Sequence, residues 1–282
     1  MSKIAVPVDS GRMTRRAVAI GALCALGLLL TACRQAARVI DSPAGLVSCV
    51  QATLAEPGVL ASVNAFKLSI DSEPAPGNRT GRPDHTALVL DASGSFRESR
   101  TMRYPGQGLK TSTSQLVDGR ATVTMSDEAG SRELALDSEE QTIASLRNEL
   151  ARWMFILFWR ETPAVPLQMV LDEDAESDNI GLGVTGPDGF NLHLTVDKTT
   201  CRPIDATYKR PFGFGDGMMP DGGAGVMTPD GLVVQRYDLS DYVTNAGVSV
   251  PGTVRLSVGG VPMFIWRVKL VSLGTSKEPL VP

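Results

Sequence analysis

The sequence predicts an α+β domain in which an antiparallel sheet of short strands packs against helices. Apolar and polar residues alternate with period two over many short stretches, and Gly-containing turn signals separate them. One long window, 139–160, instead has the three-to-four-residue apolar spacing of an amphipathic helix. Together these patterns predict hairpin-connected strands on either side of one central helix.

A first helix is predicted directly after residue 41. Ser42 is a suitable N-cap and Pro43 suits the first helical position. An apolar face follows at i, i+4 and i+8, and Pro57-Gly58 ends the helix. The residues of that face are Leu46, Val50 and Leu54.

The period then changes to two, which predicts the first group of strands. Phe66, Leu68 and Ile70 alternate with polar residues as in a half-buried strand, and 73–84 is a Pro- and Gly-rich loop. Asp118-Gly119 is a hairpin signal, because these residues tolerate the positive φ of a primed turn. The predicted strands of this group are 86–92, 95–104, 111–117 and 120–126.

The central helix ends in an unusually apolar segment. Residues 153–159, Trp-Met-Phe-Ile-Leu-Phe-Trp, are apolar on every side, whereas Glu149 and the earlier charged residues lie mostly off the apolar stripe. Core packing, the wall of a ligand cavity and a membrane-facing patch are alternative interpretations of this segment.

More strands are predicted after the helix. Gly186 to Gly189 joins 180–185 to 190–196, where Leu192, Leu194 and Val196 share the inward face. The acidic run 172–178 lacks the Gly and closing Glu of an EF-hand calcium loop and is interpreted as a solvated turn. The last predicted strands are 232–237, 252–258 and 261–271.

The segment 211–231 is rich in glycine and has little periodicity, so we expect a long loop. It is either a gate beside a cavity mouth or an excursion far from any opening.

The N-terminal segment has the pattern of an export signal. Arg15-Arg16 precedes an apolar run from Ala17 to Leu30, which is too short for a permanent membrane helix. The run ends in Leu30-Thr31-Ala32-Cys33, which resembles a bacterial lipobox. The resemblance implies cleavage before Cys33 and fatty acylation of that residue, which would anchor the protein to a membrane.

These features divide the chain into a signal peptide at 1–32, a tether at 33–41 and a single domain at 42–282 with its Gly-rich loop. The signal holds four basic residues and one acidic residue of the 27 and 31 in the chain, so the remainder has 23 against 30 and a formal charge of −7. That sign argues against nucleic acid as a partner.

Two cysteines remain after Cys24 leaves with the signal and Cys33 is assigned to lipid. Cys49 and Cys201 either form a disulfide, which an oxidising compartment permits, or are two small buried hydrophobic residues.

Enzyme and metal motifs are absent from the sequence. His85 and His193 do not have the spacing of metal ligands, and there is no nucleophile elbow, Walker loop or HExxH motif. We therefore expect a protein that is not an enzyme and has no cofactor or bound metal.

Two motifs near the C-terminus carry a family resemblance. Tyr237 to Tyr242 followed by Gly247 to Pro251 looks like the "dY…GV..P" segment of the LolA/LolB-like outer-membrane lipoprotein-sorting superfamily. Val196 to Pro203 is similar to the "D..TG.P" turn of that superfamily, with Cys201 where glycine is usual. The motifs cover roughly 190–282, and the order of elements extends the resemblance to about residue 42.

The resemblance implies a strongly curved antiparallel sheet, an incomplete β-barrel, with helices on its concave side and an apolar cavity for acyl chains between them. The Gly-rich insertion 211–231 is not part of the family pattern. The expected cavity residues are Phe66, Leu68, Trp153, Phe155, Trp159, Leu192, Leu194 and Val196.

The expected function is that of a membrane-anchored envelope lipoprotein that binds a lipid-like or hydrophobic ligand for carriage or sensing. The alternative is a structural or protein-interaction lipoprotein whose cavity is filled by its own side chains. The protein would face the periplasm. Arg34 follows Cys33, where an Asp would retain lipoproteins of enteric bacteria in the inner membrane, so the outer membrane is favoured.

Overall fold

A computed structural model describes residues 40–78, 81–163, 165–172, 178–211 and 231–274. The chain groups into Met1–Ile40 and Asp41–Pro282, and the second unit contains all the helices and strands of the described residues. The predicted signal peptide, Cys33, residues 34–39, most of the acidic run and most of the Gly-rich segment lie outside the described residues.

The described residues form three α-helices and thirteen strands. The helices are α1 (Pro43–Leu54), α2 (Val59–Ser62) and α3 (Glu139–Phe158). The strands before α3 are β1 (Ala65–Pro74), β2 (Asp84–Asp91), β3 (Phe96–Tyr104), β4 (Gly108–Val117), β5 (Arg120–Asp127) and β6 (Gly130–Glu133). Those after it are β7 (Gln168–Asp172), β8 (Asn179–Thr185), β9 (Asn191–Asp197), β10 (Pro203–Pro211), β11 (Leu232–Asn245), β12 (Val248–Val258) and β13 (Val261–Gly274).

All thirteen strands belong to one antiparallel sheet with the order β6-β5-β4-β3-β2-β1-β13-β12-β11-β10-β9-β8-β7. The first and last strands of the chain pair at the centre, and each half of the chain extends from that pair to one edge. The edges do not pair with each other, so the sheet is open. Helix α3 contacts β2 to β5 on one side and β12 on the other, as a sheet curved around it requires. The predicted α+β class with a curved antiparallel sheet is confirmed.

Local sequence signals account for the element boundaries. Ser42 Oγ accepts a hydrogen bond from Gly45 N (3.2 Å) at the start of α1, and Ser138 Oγ accepts one from Gln141 N (3.3 Å) at the start of α3. Asp118 and Gly119 have φ values of 50° and 75°, as a primed hairpin turn requires, which confirms the prediction for that turn.

The second half of α3 fills one end of the concave side. Residues 153–159 are all 0–3% exposed, and the ring of Phe158 stacks on Phe66 of β1 with centroids 3.7 Å apart. Burying each such aromatic side chain contributes about 1.5–3 kcal/mol. Of the three interpretations of this segment, the structure therefore assigns core packing to residues 154–159. We call this region the packed end of the half-barrel.

A disulfide joins Cys49 of α1 to Cys201 in the β9–β10 turn, with Cα atoms 5.8 Å apart. In that turn the Asp197 carboxylate accepts hydrogen bonds from Thr199 N (2.9 Å) and Thr200 N (2.7 Å). The φ of Cys201 is 54°, in the region that glycine adopts most easily. This backbone geometry explains why glycine suits the same position of the motif that the turn resembles.

Three strands were not predicted from sequence. Every residue of β6 is exposed, and in β7 Val170 is 68% exposed, so neither edge strand shows a buried apolar face. Strand β10 begins and ends in proline, which obscures the buried alternation of Ala206 and Tyr208. The solvated turn predicted from residue 172 is also corrected at its first residue, because Asp172 belongs to β7.

Candidate ligand-binding cavity

A cavity of about 1450 Å³ lies between the first part of α3 and the concave face of the sheet. It occupies the end of the half-barrel that is not filled by residues 154–159, and Trp153 lies at its border. Its lining comes from strands before α3, including β2, β3 and β4, and from strands after it, including β10 to β13. The curvature of the sheet thus brings both halves of the chain to one site.

Helix α3 turns a polar stripe toward this cavity. Gln141, Ser145, Asn148, Glu149 and Arg152 all line it and follow one another at spacings of one to four residues. Such a stripe normally marks the solvent face of an amphipathic helix. In this fold the stripe faces the cavity instead.

Arg152 is the centre of the polar wall. It is only 7% exposed and donates hydrogen bonds to the Glu149 carboxylate and to the Tyr237 hydroxyl. The Tyr237 hydroxyl in turn donates to Gln235 Oε1 (2.6 Å). Burial lowers the pKa of Arg152 and is the largest single effect, but Glu149 and the neighbouring Tyr237, Tyr208 and Glu98 together raise the pKa by more. The net shift of the pKa is upward, and the guanidinium stays charged.

Aromatic rings surround the same guanidinium. Its carbon lies 4.7 Å from the ring centroid of Trp153, 5.4 Å from that of Tyr237 and 5.6 Å from that of Tyr208. These distances are within the range of cation–π interactions, and these interactions hold the Arg152 side chain against the wall. Burial raises the pKa of both Tyr208 and Tyr237, so the two phenols remain neutral.

A second ion pair lies on the sheet side of the cavity. The Asp84 carboxylate accepts hydrogen bonds from Arg100 Nε (2.7 Å) and from Arg100 Nη2. The side chain of Asp84 is 2% exposed, whereas that of Arg100 is 43% exposed and reaches into the cavity. Burial raises the pKa of Asp84 although Arg100 acts in the opposite direction.

Glu98 of β3 is a further acidic residue of the cavity wall. Among the described residues its carboxyl group has no hydrogen-bond or ion-pair partner. Its exposed surface faces the internal space. Burial raises its pKa and the Glu149 carboxylate adds to the rise, whereas Arg152 and Arg100 lower the pKa.

The remaining wall is apolar and aromatic. The rings of Trp153 and Trp266 lie 5.5 Å apart, and those of Trp266 and Tyr237 lie 5.7 Å apart. The other apolar residues of this wall are Ile70, Met102, Leu256, Val258, Met263 and Phe264. The cavity is therefore amphipathic rather than purely apolar.

Of the eight residues expected in the cavity, only Trp153 lines it. The other seven are 0–1% exposed and are not among the residues that line this cavity: Phe66, Leu68, Phe155, Trp159, Leu192, Leu194 and Val196. Position along the strand makes the difference. In β1, Phe66 stacks on Phe158 of α3, whereas Ile70, four residues further on, reaches the cavity.

Sequence reasoning missed the charged residues of the wall, although one signal was present. The polar positions 141, 145, 148, 149 and 152 have helical spacing and could have been identified as a continuous stripe. Three polar atoms on or beside it have no hydrogen-bond partner among the described residues, namely Asn148 Oδ1, Arg152 Nε and Trp153 Nε1.

Neither histidine is part of the cavity lining. His85 Nδ1 lies 2.8 Å from Asp71 Oδ1, and His193 Nε2 lies 3.5 Å from Asp172 Oδ2. Within the described ranges, no group of three or more His, Cys, Asp or Glu residues could hold a metal ion. In the same part of the chain, no helix has the length and apolar character needed to span a membrane.

No protein-family model matches the chain, and no curated protein matches it. Solved structures similar to it include a LolA superfamily protein from Nitrosomonas europaea, at 11% identity and a TM-score of 0.45, with 79% of this chain and 90% of that chain covered. A domain described as an outer membrane lipoprotein-sorting protein from Vibrio parahaemolyticus has 9% identity and a TM-score of 0.41, with coverage of 83% and 92%. A DUF1329 family protein from Desulfovibrio piger has 8% identity and a TM-score of 0.43, with coverage of 82% and 92%.

The strand order of this chain and the helix within its concave face define the fold.

Proposed function

We propose that this protein is a membrane-anchored envelope lipoprotein that binds a lipid-like ligand in the half-barrel cavity, for carriage or sensing. The observation that carries the proposal is the internal space of about 1450 Å³ left between α3 and the sheet. Drug-sized ligands occupy pockets of about 300–1,000 Å³, so this space suits a larger molecule such as one with a long acyl chain.

The composition of the wall supports an amphiphilic ligand. Trp266, Phe264 and Met263 offer an apolar surface, and the charged pairs lie on the neighbouring wall. Burying about 300 Å² of acyl chain would contribute on the order of 7 kcal/mol before the costs of association. The apolar part of the ligand therefore supplies affinity, and its polar part faces the polar wall.

The membrane anchor in this proposal rests on the sequence. Cys33 ends the lipobox-like segment, and its acylation would hold the domain at a membrane surface facing the periplasm. The following Arg34 favours the outer membrane. A lipid-binding domain attached in this way would meet its ligand at the membrane itself.

The three tryptophans of the chain allow a direct test. Trp153 and Trp266 line the cavity, whereas Trp159 is fully buried in the packed end. Delipidated full-length protein in amphipol would be titrated with dibromostearate, because bromine quenches tryptophan fluorescence on contact. We expect saturable quenching at one site.

Variants locate that quenching. In Trp159→Phe, a matched control, the quenched fraction of the emission should rise, because the unquenched core tryptophan is gone. In Trp153→Phe/Trp266→Phe, quenching should be nearly lost. Non-saturable quenching, or equal quenching in all variants, would refute ligand binding in the cavity and favour the structural or protein-interaction role.

A further inference from the structure

The charges on the cavity wall compensate one another without a ligand. Asp84 pairs with Arg100, and Glu149 pairs with Arg152 through hydrogen bonds as well as charge. Each buried member thus has a partner of opposite sign, which is the condition under which buried charges are tolerated.

Among the described lining residues, Glu98 is the one further acidic group that is not fully exposed. It has no ion-pair partner there, and its four charged neighbours are two acids, Glu149 and Asp84, and two bases, Arg152 and Arg100. Burial raises the pKa of this carboxyl group, and the two acids and the two bases act on the pKa in opposite directions. The carboxyl group is thus left for hydrogen bonds to a bound ligand.

The other charges on the lining do not alter this balance. Arg82 and Asp188 are exposed to solvent and carry opposite charges. Arg210 is half-buried and takes part in a further interaction. With it, the described lining holds four arginines and four acidic residues, so its formal charges sum to zero and do not require an ionic ligand.

A charged head group would disturb this arrangement. It would either remain unpaired in a partly desolvated site or separate one of the existing pairs, and both changes cost free energy. An uncharged head group that carries hydroxyl, ester or amide functions can form hydrogen bonds to the Glu98 carboxyl and to the outer atoms of the pairs without breaking them.

We propose that the self-compensated wall of Asp84–Arg100, Glu149–Arg152 and Glu98 selects amphiphiles with an uncharged, hydrogen-bonding head group over anionic and cationic ones of the same chain length. This inference rests on the proposed function, because it assigns the class of ligand for the same cavity.

Three probes with one 16-carbon chain test the selection. The probes are 1-hexadecanoylglycerol, hexadecyl sulfate and hexadecyltrimethylammonium, each below its micellar concentration, in competition with dibromostearate on full-length protein in amphipol. We expect the glycerol ester to bind at least about tenfold more tightly than either charged probe, since tenfold is only 1.4 kcal/mol.

Single substitutions should reverse the preference in a defined direction. Glu149→Gln removes one negative charge but keeps an acceptor for Arg152, so an uncompensated positive charge remains. Asp84→Asn does the same for Arg100, and it serves as a second variant if Glu149→Gln does not fold. In either variant hexadecyl sulfate should gain at least about tenfold in affinity relative to the ester.

Glu140→Gln is the matched control, because Glu140 is on the same helix but is exposed and does not line the cavity. It should leave the order of the three affinities unchanged. If a charged probe binds to the native protein as tightly as the ester, or if the control shifts the order as Glu149→Gln does, the inference is overturned while the cavity still binds lipid. If none of the probes or dibromostearate binds, the proposed function itself fails.

Discussion

The disulfide between Cys49 and Cys201 connects the first helix to the turn between two strands of the second half of the sheet. Both cysteines are 6% exposed and their sequence separation is 152 residues. The perturbation is the double substitution Cys49→Ala/Cys201→Ala, which removes the covalent link and leaves small apolar side chains in its place.

The magnitude follows from the length of the loop that the bond closes. In the chain-entropy model, a loop of the observed separation restricts the unfolded chain by an amount worth about 5 kcal/mol at 25 °C. Measured losses on removal of native disulfides are typically about 2–5 kcal/mol. We therefore expect the free energy of unfolding to fall by roughly 3–5 kcal/mol.

Urea denaturation followed by circular dichroism measures the difference. Dithiothreitol should lower the stability of the native protein to that of the double variant and leave the variant unchanged. A matched comparison is Cys49→Ala/Cys201→Gly, which should be more stable than the alanine pair by about 1 kcal/mol, because the φ of 54° at position 201 suits glycine. A loss below 1 kcal/mol on removing the bond would refute the reasoning.

Three further predictions concern the anchor, the half-buried carboxyl group of Glu98 and the core. Cys33→Ala should abolish partitioning of the protein into Triton X-114, and detergent partitioning equal to that of the native protein would contradict acylation. Glu98→Gln should stabilise the protein at pH 8, because ionising an acid whose pKa is raised in the folded state costs stability. This advantage should shrink as the pH falls through the raised pKa and should be gone below the usual value for Glu. Thermal melts at several pH values measure it, and the exposed Glu133→Gln should show no such trend. Phe66→Ala should lower the free energy of unfolding by about 3–5 kcal/mol in urea denaturation, because the Phe66 ring is fully buried against Phe158. Under native conditions it should leave the stoichiometry of dibromostearate binding unchanged. A stability loss below about 1 kcal/mol would place Phe66 outside the core.

Much of the fold was accessible from local patterns. The period-two alternation of Phe66, Leu68 and Ile70 identified β1, and the Asp118-Gly119 pair located the β4–β5 turn. The edge strands were not accessible, because a strand such as β6, in which every residue is exposed, has no apolar face to detect.

The cavity was much less accessible, and α3 shows why. The sequence marks an apolar stripe and a polar stripe, but helical spacing alone does not say which medium each stripe faces. For the apolar end at 153–159 the sequence left core packing, a cavity wall and a membrane-facing patch open, and residues 154–159 are packed core. The polar stripe with Glu149 and Arg152 faces the cavity.

The sequence by itself determined the class of fold, the long helix and most strands, because turn signals, caps and periodicity act over a few residues. It also carried the lipobox-like segment that predicts the anchor. Only the tertiary structure decided where the core ends and the cavity begins, since Phe66 and Ile70 lie on one face of the same strand and differ only in what packs against them. It also decided the charge balance of the wall, because Asp84 and Arg100 come from different strands, and compensation of buried charges depends on distance through space rather than along the chain.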